Sequence, residues 1–197
     1  MVKSKAPLVT ILIFFLLSIG YSQPGREKIS LSGTWNFCVD SLLVGDSENW
    51  NKHWPDENLS YSVVVPHAWN ADKELARYWG VCWYQRTFEI SPNQLSKTAR
   101  LQFDAVYHDA IIYVNGTKAG EHFGSGYTRF FIDITSYIKV GTNTVTVRVD
   151  NSPSRTNIPF QKSYDWANDG GIFRNVNLVL TQPQAIHSIH VTAEPNE

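Results

Sequence analysis

The chain has 197 residues, a formal net charge of −1 and no basic block or stripe, so neither nucleic acid nor an anionic membrane is expected as a partner. With 43% hydrophobic residues it is long enough to bury one full core without metal or disulfide staples. Its two cysteines, Cys38 and Cys82, cannot form a zinc site without histidines at ligand spacing, and the six His supply no such pattern.

Lys3 and Lys5 precede an apolar run from Leu8 to Ile19. Small residues at Gly20 and Ser22 fit a cleavage site before Gln23, which predicts a secretory signal peptide over 1–22. The run is short for a membrane span, which takes about 20 apolar residues. The mature chain, 23–197, is therefore expected as one exported domain, periplasmic or extracellular, with no membrane segment. In an oxidising compartment Cys38 and Cys82 could pair, but a core of this size favours two unpaired, partly buried thiols.

From Trp35 onward, period-two alternation predicts strands. Trp35 and Phe37 alternate with Asn36 and Cys38. A long loop follows, Asp40 to Tyr61, carrying Trp50 and Trp54. A second, Pro66 to Val81, carries His67, Trp69, Asn70, Tyr78 and Trp79. Pro92–Lys97 reads as a short helical turn. Leu101, Phe103 and Ala105 alternate with Gln102 and Asp104. Asn115-Gly116 reads as a tight hairpin turn after Ala110–Val114. Thr135–Lys139 is a second helical turn, and Gly141-Thr142-Asn143 a turn before the valines of Thr144–Val149. A third connection, Asn151 to Gly171, leads to a last strand over Asn175–Thr181. The pattern is all-β: a two-sheet antiparallel sandwich or jelly roll. Seven Trp and nine Tyr exceed what such a core usually takes. Packing is the default for any one ring, and stacking on sugar faces is the other use.

A search for catalytic groups finds none. Retaining glycoside hydrolysis needs two carboxyl groups about 5–5.5 Å apart. The 18 Asp and Glu include no Glu-x-Asp-x-x-Glu strand pattern. Asp165 and Asp169 share a loop, but their spacing sets no distance, and Asp169 suits a turn. There is no Gly-x-Ser-x-Gly elbow, and Gly124-Ser125-Gly126 is too short for a phosphate loop. No cofactor is expected. Asn58-Leu59-Ser60 and Asn115-Gly116-Thr117 match glycosylation acceptors, a weak pattern.

Five segments carry a family resemblance. Leu31-Ser32-Gly33-Thr34-Trp35-Asn36-Phe37 resembles the opening strand of the sugar-binding domain of glycoside hydrolase family 2. Val65-Pro66-His67-Ala68-Trp69-Asn70 resembles its proline, histidine and tryptophan turn, and Trp83-Tyr84-Gln85-Arg86-Thr87-Phe88 its Trp-Tyr-x-Arg strand. Ala105 to Gly116 resembles its central hairpin. Asp165-Trp166-Ala167-Asn168-Asp169-Gly170-Gly171-Ile172-Phe173-Arg174 resembles the signature before its last long strand. In this order they cover about residues 29 to 193 and are most similar to the β-galactosidase and β-glucuronidase members.

The resemblance implies a jelly-roll domain at the front of a longer enzyme, followed by an immunoglobulin-like domain and a (β/α)8 barrel that carries two catalytic glutamates. It implies no catalytic residue in this chain, and an accessory role in hydrolysing β-linked glycosides. It also implies that Asp165 reaches into the barrel's pocket to hold sugar hydroxyls, where a carboxylate accepts strong hydrogen bonds. The alternative for Asp165 is a turn cap. Trp166 and Asn168 are expected to wall the same pocket. Asn70 either converges there with Trp69 or serves turn structure and packing. Arg86 and Arg174 are expected to be structural, since arginine forks in such domains pair with carboxylates such as Asp104, Asp109 or Asp150, with the pairs left open, and His67, His108 and His122 are expected to be structural as well. Two other roles stay open: a stand-alone carbohydrate-binding module, and a structural or interaction domain without sugar affinity.

Overall fold

The computed structural model describes residues 25–153, 168–186 and 189–193, which leaves the expected signal peptide outside the described residues. Two antiparallel sheets make up the fold. The smaller contains β1 (Arg26–Ser30), β5 (Thr98–Phe103), β8 (Phe130–Asp133) and β10 (Val176–Thr181), in the order β1-β10-β5-β8. The larger contains β2 (Gly33–Asp40), β3 (Ser60–Val65), β4 (Val81–Ile90), β6 (Asp109–Val114), β7 (Thr117–His122) and β9 (Gly141–Asp150), in the order β3-β2-β4-β9-β6-β7.

Alternation places the core between the sheets. Val145, Val147 and Val149 of β9 are buried on one face, beside Trp35 and Phe37 of β2. Leu101 and Phe103 of β5 and Leu178 and Leu180 of β10 meet them from the smaller sheet. Burial of each such side chain contributes about 1.5–3 kcal/mol. Trp35, only 1% exposed, donates its indole N–H to the Leu31 carbonyl at 2.8 Å, so its one polar atom is satisfied inside the core.

The Asn115-Gly116 hairpin forms as expected. Asn115 and Gly116 have φ of 50° and 78°, the left-handed pair that a two-residue turn demands and that Gly tolerates best. Pro92–Leu95 is the short helix α1, capped reciprocally by Ser91 and Gln94. Thr135–Lys139 contains one hydrogen-bonded turn, closed by Tyr137 N–H on the Ile134 carbonyl.

The stretch read as a turn at Gly141-Thr142-Asn143 instead opens β9. Asn143 is fully buried, and its side chain replaces backbone partners. It accepts from Lys139 N–H at 2.9 Å and donates to the Lys139 and Gly141 carbonyls. The chain reversal is thereby completed before the strand rather than within it.

The loop after Asp40 folds back over the outer face of the larger sheet. Trp50, Val44 and Trp54 pack there on Cys38, Val81, Trp83 and Tyr113 as a second small cluster. Asp40 anchors the loop by accepting from Val44 and Gly45 N–H and from the Trp83 indole.

Both cysteines are unpaired and buried. Cys38 sits opposite Trp83, and Cys82 opposite Val39. That one-residue offset turns Cys38 toward the outer cluster and Cys82 toward the main core. Two side chains on opposite faces of one sheet cannot be bridged without moving the backbone.

Candidate functional site

At one end of the sandwich three connections converge: the 66–80 loop, the 104–108 segment between β5 and β6, and the chain on either side of 154–167. Asp165 and Trp166 lie outside the described residues. Asn168, three positions after Asp165 in sequence, is described and nearly buried, at 7% exposure.

Asn70 is the hub of this end. Its Oδ1 accepts from the Gly170 N–H at 2.8 Å and from Asn151 Nδ2 at 3.2 Å. Its Nδ2 donates to the Leu75 and Tyr78 carbonyls, both at 2.9 Å. A side-chain amide has two donor hydrogens and two acceptor lone pairs, so all four positions are filled by the chain itself. Asn70 thus holds backbone in place, and its side chain has no hydrogen-bonding capacity left over for a sugar hydroxyl.

Asn151 completes the lattice. Its Nδ2 also donates to the Asn168 carbonyl at 2.8 Å, and its Oδ1 accepts from Gly80 N–H at 2.9 Å. Asn168 Oδ1 accepts from the Tyr107 hydroxyl at 2.9 Å. Burial pushes the Tyr107 hydroxyl up to about 12, so it stays a donor at physiological pH. The structure therefore brings Asn70 and Asn168 together through Asn151.

The backbone after Asn168 is stitched down just as firmly. Tyr107 and Gly171 exchange two N–H to carbonyl bonds, both 2.9 Å. His67 N–H donates to the Ile172 carbonyl, and Trp69 N–H to the Gly170 carbonyl. These contacts leave no room for side chains. A Cβ on Gly170 would lie 2.0 Å from the Trp69 ring, and one on Gly171 would lie 2.2 Å from the His67 carbonyl oxygen. Gly171 also has φ of +142°, open to glycine and strained for other residues.

His67 lies below this turn. Its Nδ1 is 2.9 Å from the Tyr84 hydroxyl and its Nε2 is 3.3 Å from Asp72 Oδ2. Burial lowers its pKa below the ordinary 6.5, and the Asp72 contact opposes the shift. His108 lies 2.6 Å from Asp109, and His122 stacks on Phe130, so all three histidines are engaged within the fold.

The arginines differ from expectation. Arg86 donates to the Ser32 and Thr34 carbonyls rather than to a carboxylate. Arg174 lies over the Phe173 ring. Arg129 takes Asp104, and Arg148 reaches Asp46 and Asp150. A guanidinium fork satisfies two carbonyls of a bent strand entry as well as it does a carboxylate.

Sequence reasoning missed Asn151 and Tyr107. Asn151 directly follows β9, a place where an Asn reads as an ordinary turn residue. Only the approach of three distant segments reveals its role. Among the described residues no group of three or more His, Cys, Asp or Glu is placed to hold a metal ion.

Comparison with known proteins identifies the family. The family described as glycosyl hydrolases family 2, sugar binding domain, matches residues 29–183. A β-glucuronidase of Bacteroides fragilis is 32% identical over 184 residues, covering 91% of this chain and 24% of that protein. A β-galactosidase of Thermoanaerobacter pseudethanolicus is 31% identical, covering 81% of this chain and 22% of that protein. A solved β-glucuronidase of an uncultured Clostridium superposes with a TM-score of 0.73 at 30% identity, covering 82% of this chain and 30% of that one. The chain spans about a quarter of the length of the curated relatives it matches.

Proposed function

The chain belongs to glycosyl hydrolase family 2, as a sugar-binding domain of that family, and from that premise we propose that it serves a longer, exported β-glycosidase by forming one wall of the site where another domain cleaves the glycosidic bond. The parent protein would add the immunoglobulin-like and barrel domains, and a signal peptide over 1–22 would direct export. The substrate class is a β-linked glycoside, in keeping with the β-glucuronidase and β-galactosidase relatives.

One observation carries the reading. The Asn70–Asn151 lattice fixes Asn168 and Gly170, immediately beyond the Asp165-Trp166 pair of the family signature. A carboxylate that must meet sugar hydroxyls to within a few tenths of an ångström needs a rigid base, and buried hydrogen-bonded backbone supplies one. In this assignment Asp165 accepts from substrate hydroxyls and Trp166 offers an apolar ring. Asn168 and Asn70 are positioning residues.

The test is Asp165→Asn in the longer protein. The amide keeps the shape and loses the charge, so kcat/KM should fall by about a hundredfold or more while the melting temperature holds. Wild-type turnover in that variant would refute the assignment.

A further inference from the structure

The outer face of the larger sheet is covered over only half its length. Toward Asp40 and Val81 the 41–59 loop closes over it with Trp50 and Trp54. Toward the far end of β4 the floor stays open, and its side chains are amides and hydroxyls. Asn36 lies opposite Gln85 and Thr87 opposite Thr144, while Thr146, opposite Gln85, is buried and accepts from Gln85 Nε2 at 3.2 Å. Two hollows of about 260 and 230 Å³ lie along this floor and share Gln85. They sit at the other end of β4 from the Asn70–Asn151 lattice.

The larger hollow has a built wall. Asn51, Lys52 and Trp54 rise beside Gln85 and Thr144. Asn51 Nδ2 donates to the Gly116 carbonyl at 2.7 Å, which ties the wall to the β6–β7 hairpin. The Trp54 indole nitrogen is buried and has no hydrogen-bond partner among the described residues, so what Trp54 exposes to a ligand is ring carbon. No carboxylate lines either hollow. Arg86, in the smaller one, commits its Nη1 to two backbone carbonyls. The Lys52 ammonium forms no ion pair among the described residues.

We propose that this trough binds a segment of an oligosaccharide, one sugar unit per hollow, with a carboxylate-bearing unit beside Lys52. The floor suits that ligand and little else. Amide and hydroxyl groups can exchange hydrogen bonds with sugar hydroxyls, and the Trp54 ring can take the C–H face of a pyranose. An apolar anchoring side chain would meet only the Trp54 ring among polar groups in the two hollows. A cation would meet only Lys52 and Arg86, whereas a carboxylate gains a charge-assisted bond to Lys52. The trough makes no use of Asp165, so this inference and the active-site reading can fail separately.

Isothermal titration of the full chain with uronate-containing oligosaccharides, and with neutral ones of equal length, tests the proposal. Both series should bind, the acidic one more tightly. Gln85→Ala should weaken both by about tenfold, as loss of the shared central contact would. Lys52→Glu should weaken the acidic series by about tenfold and leave the neutral series nearly unchanged. Lys52 is exposed and Gln85 half-buried, so thermal melts should show both variants folded. Absence of binding in both series overturns the proposal, and so does affinity indifferent to both substitutions. Self-association of the chain through this face, detected by sedimentation and abolished by Lys52→Glu, would overturn it as well.

Discussion

Asn70 Oδ1 and the Gly170 N–H meet at 2.8 Å across a sequence separation of 100 residues. The same oxygen takes Asn151, and the same amide caps two carbonyls of its own loop. One side chain therefore sets both the shape of the 66–80 loop and the position of the turn that leads into β10.

Truncation of that side chain should be costly. Asn70→Ala orphans the Gly170 N–H, while the Leu75 and Tyr78 carbonyls each lose one donor and keep Tyr78 N–H and the Trp69 indole, so about 1–3 kcal/mol should be lost in urea unfolding. Asn70→Asp keeps the acceptor toward Gly170 but turns a second oxygen on the Leu75 and Tyr78 carbonyls, and it should rescue little. A midpoint unchanged in the alanine variant would show the lattice to be redundant.

Glycine replacements should separate by position. Gly171→Ala meets the His67 carbonyl at 2.2 Å, so a loss of about 3 kcal/mol or more is expected. Gly124→Ala meets nothing within 4 Å, although its φ is +74°, so only the backbone cost of about 1 kcal/mol applies. Equal melting temperatures for the two variants would contradict the tight seat of Gly171.

Trp35→Ala should destabilise by about 3–5 kcal/mol, because the ring is fully packed and its N–H is spent on Leu31. Calorimetry on wild type and variant reads this directly. A variant that melts with wild type would mean that the two sheets close over the gap.

The thiols should be silent in the native state. Burial pushes Cys38 up to about 11 and raises Cys82 well above its ordinary value, leaving almost no thiolate at neutral pH. A thiol-disulfide reagent should find both cysteines only after denaturant is added, and air oxidation should yield no intramolecular bridge. Rapid labelling of the folded chain would show that the larger sheet opens.

His67 makes stability depend on pH with a defined sign. Its pKa is lowered on folding, so the unfolded chain takes up the proton more readily. The contribution is complete above the ordinary 6.5 and is lost as pH falls through that value toward the folded one. Denaturant midpoints at pH 7.5 and 5.5 should therefore diverge more for wild type than for His67→Asn. Parallel slopes would exclude His67 as the source.

Local rules carried the sequence reading a long way. The valines of β9, the Asn115-Gly116 turn and the helical turn that begins at Pro92 depend on neighbours a few residues apart, and the chain itself states them. Reading failed where distant segments supply the partner. Val81-Cys82-Trp83-Tyr84 is buried without alternation, because the loop that carries Trp50 and Trp54 covers the outer face. Asn143 looked like a turn residue while replacing backbone from inside a strand. Arg86 found carbonyls where a carboxylate was expected. In the candidate site, the motif pointed to the 164–171 segment, but nothing local marked Asn151 as the residue that ties Asn168 to the 66–80 loop.

That junction also affects how the family can diversify. Asn151 Nδ2 grips the Asn168 carbonyl, seventeen positions away, and so closes a neck beneath the intervening segment. Loop-closure entropy grows only logarithmically, about 0.6 kcal/mol for each doubling of length. Changes in the number of residues between the two asparagines therefore carry a small closure cost. On the proposed role of Asp165 and Trp166, changes of length between the asparagines would let substrate contacts vary while the Asn151–Asn168 bond is kept.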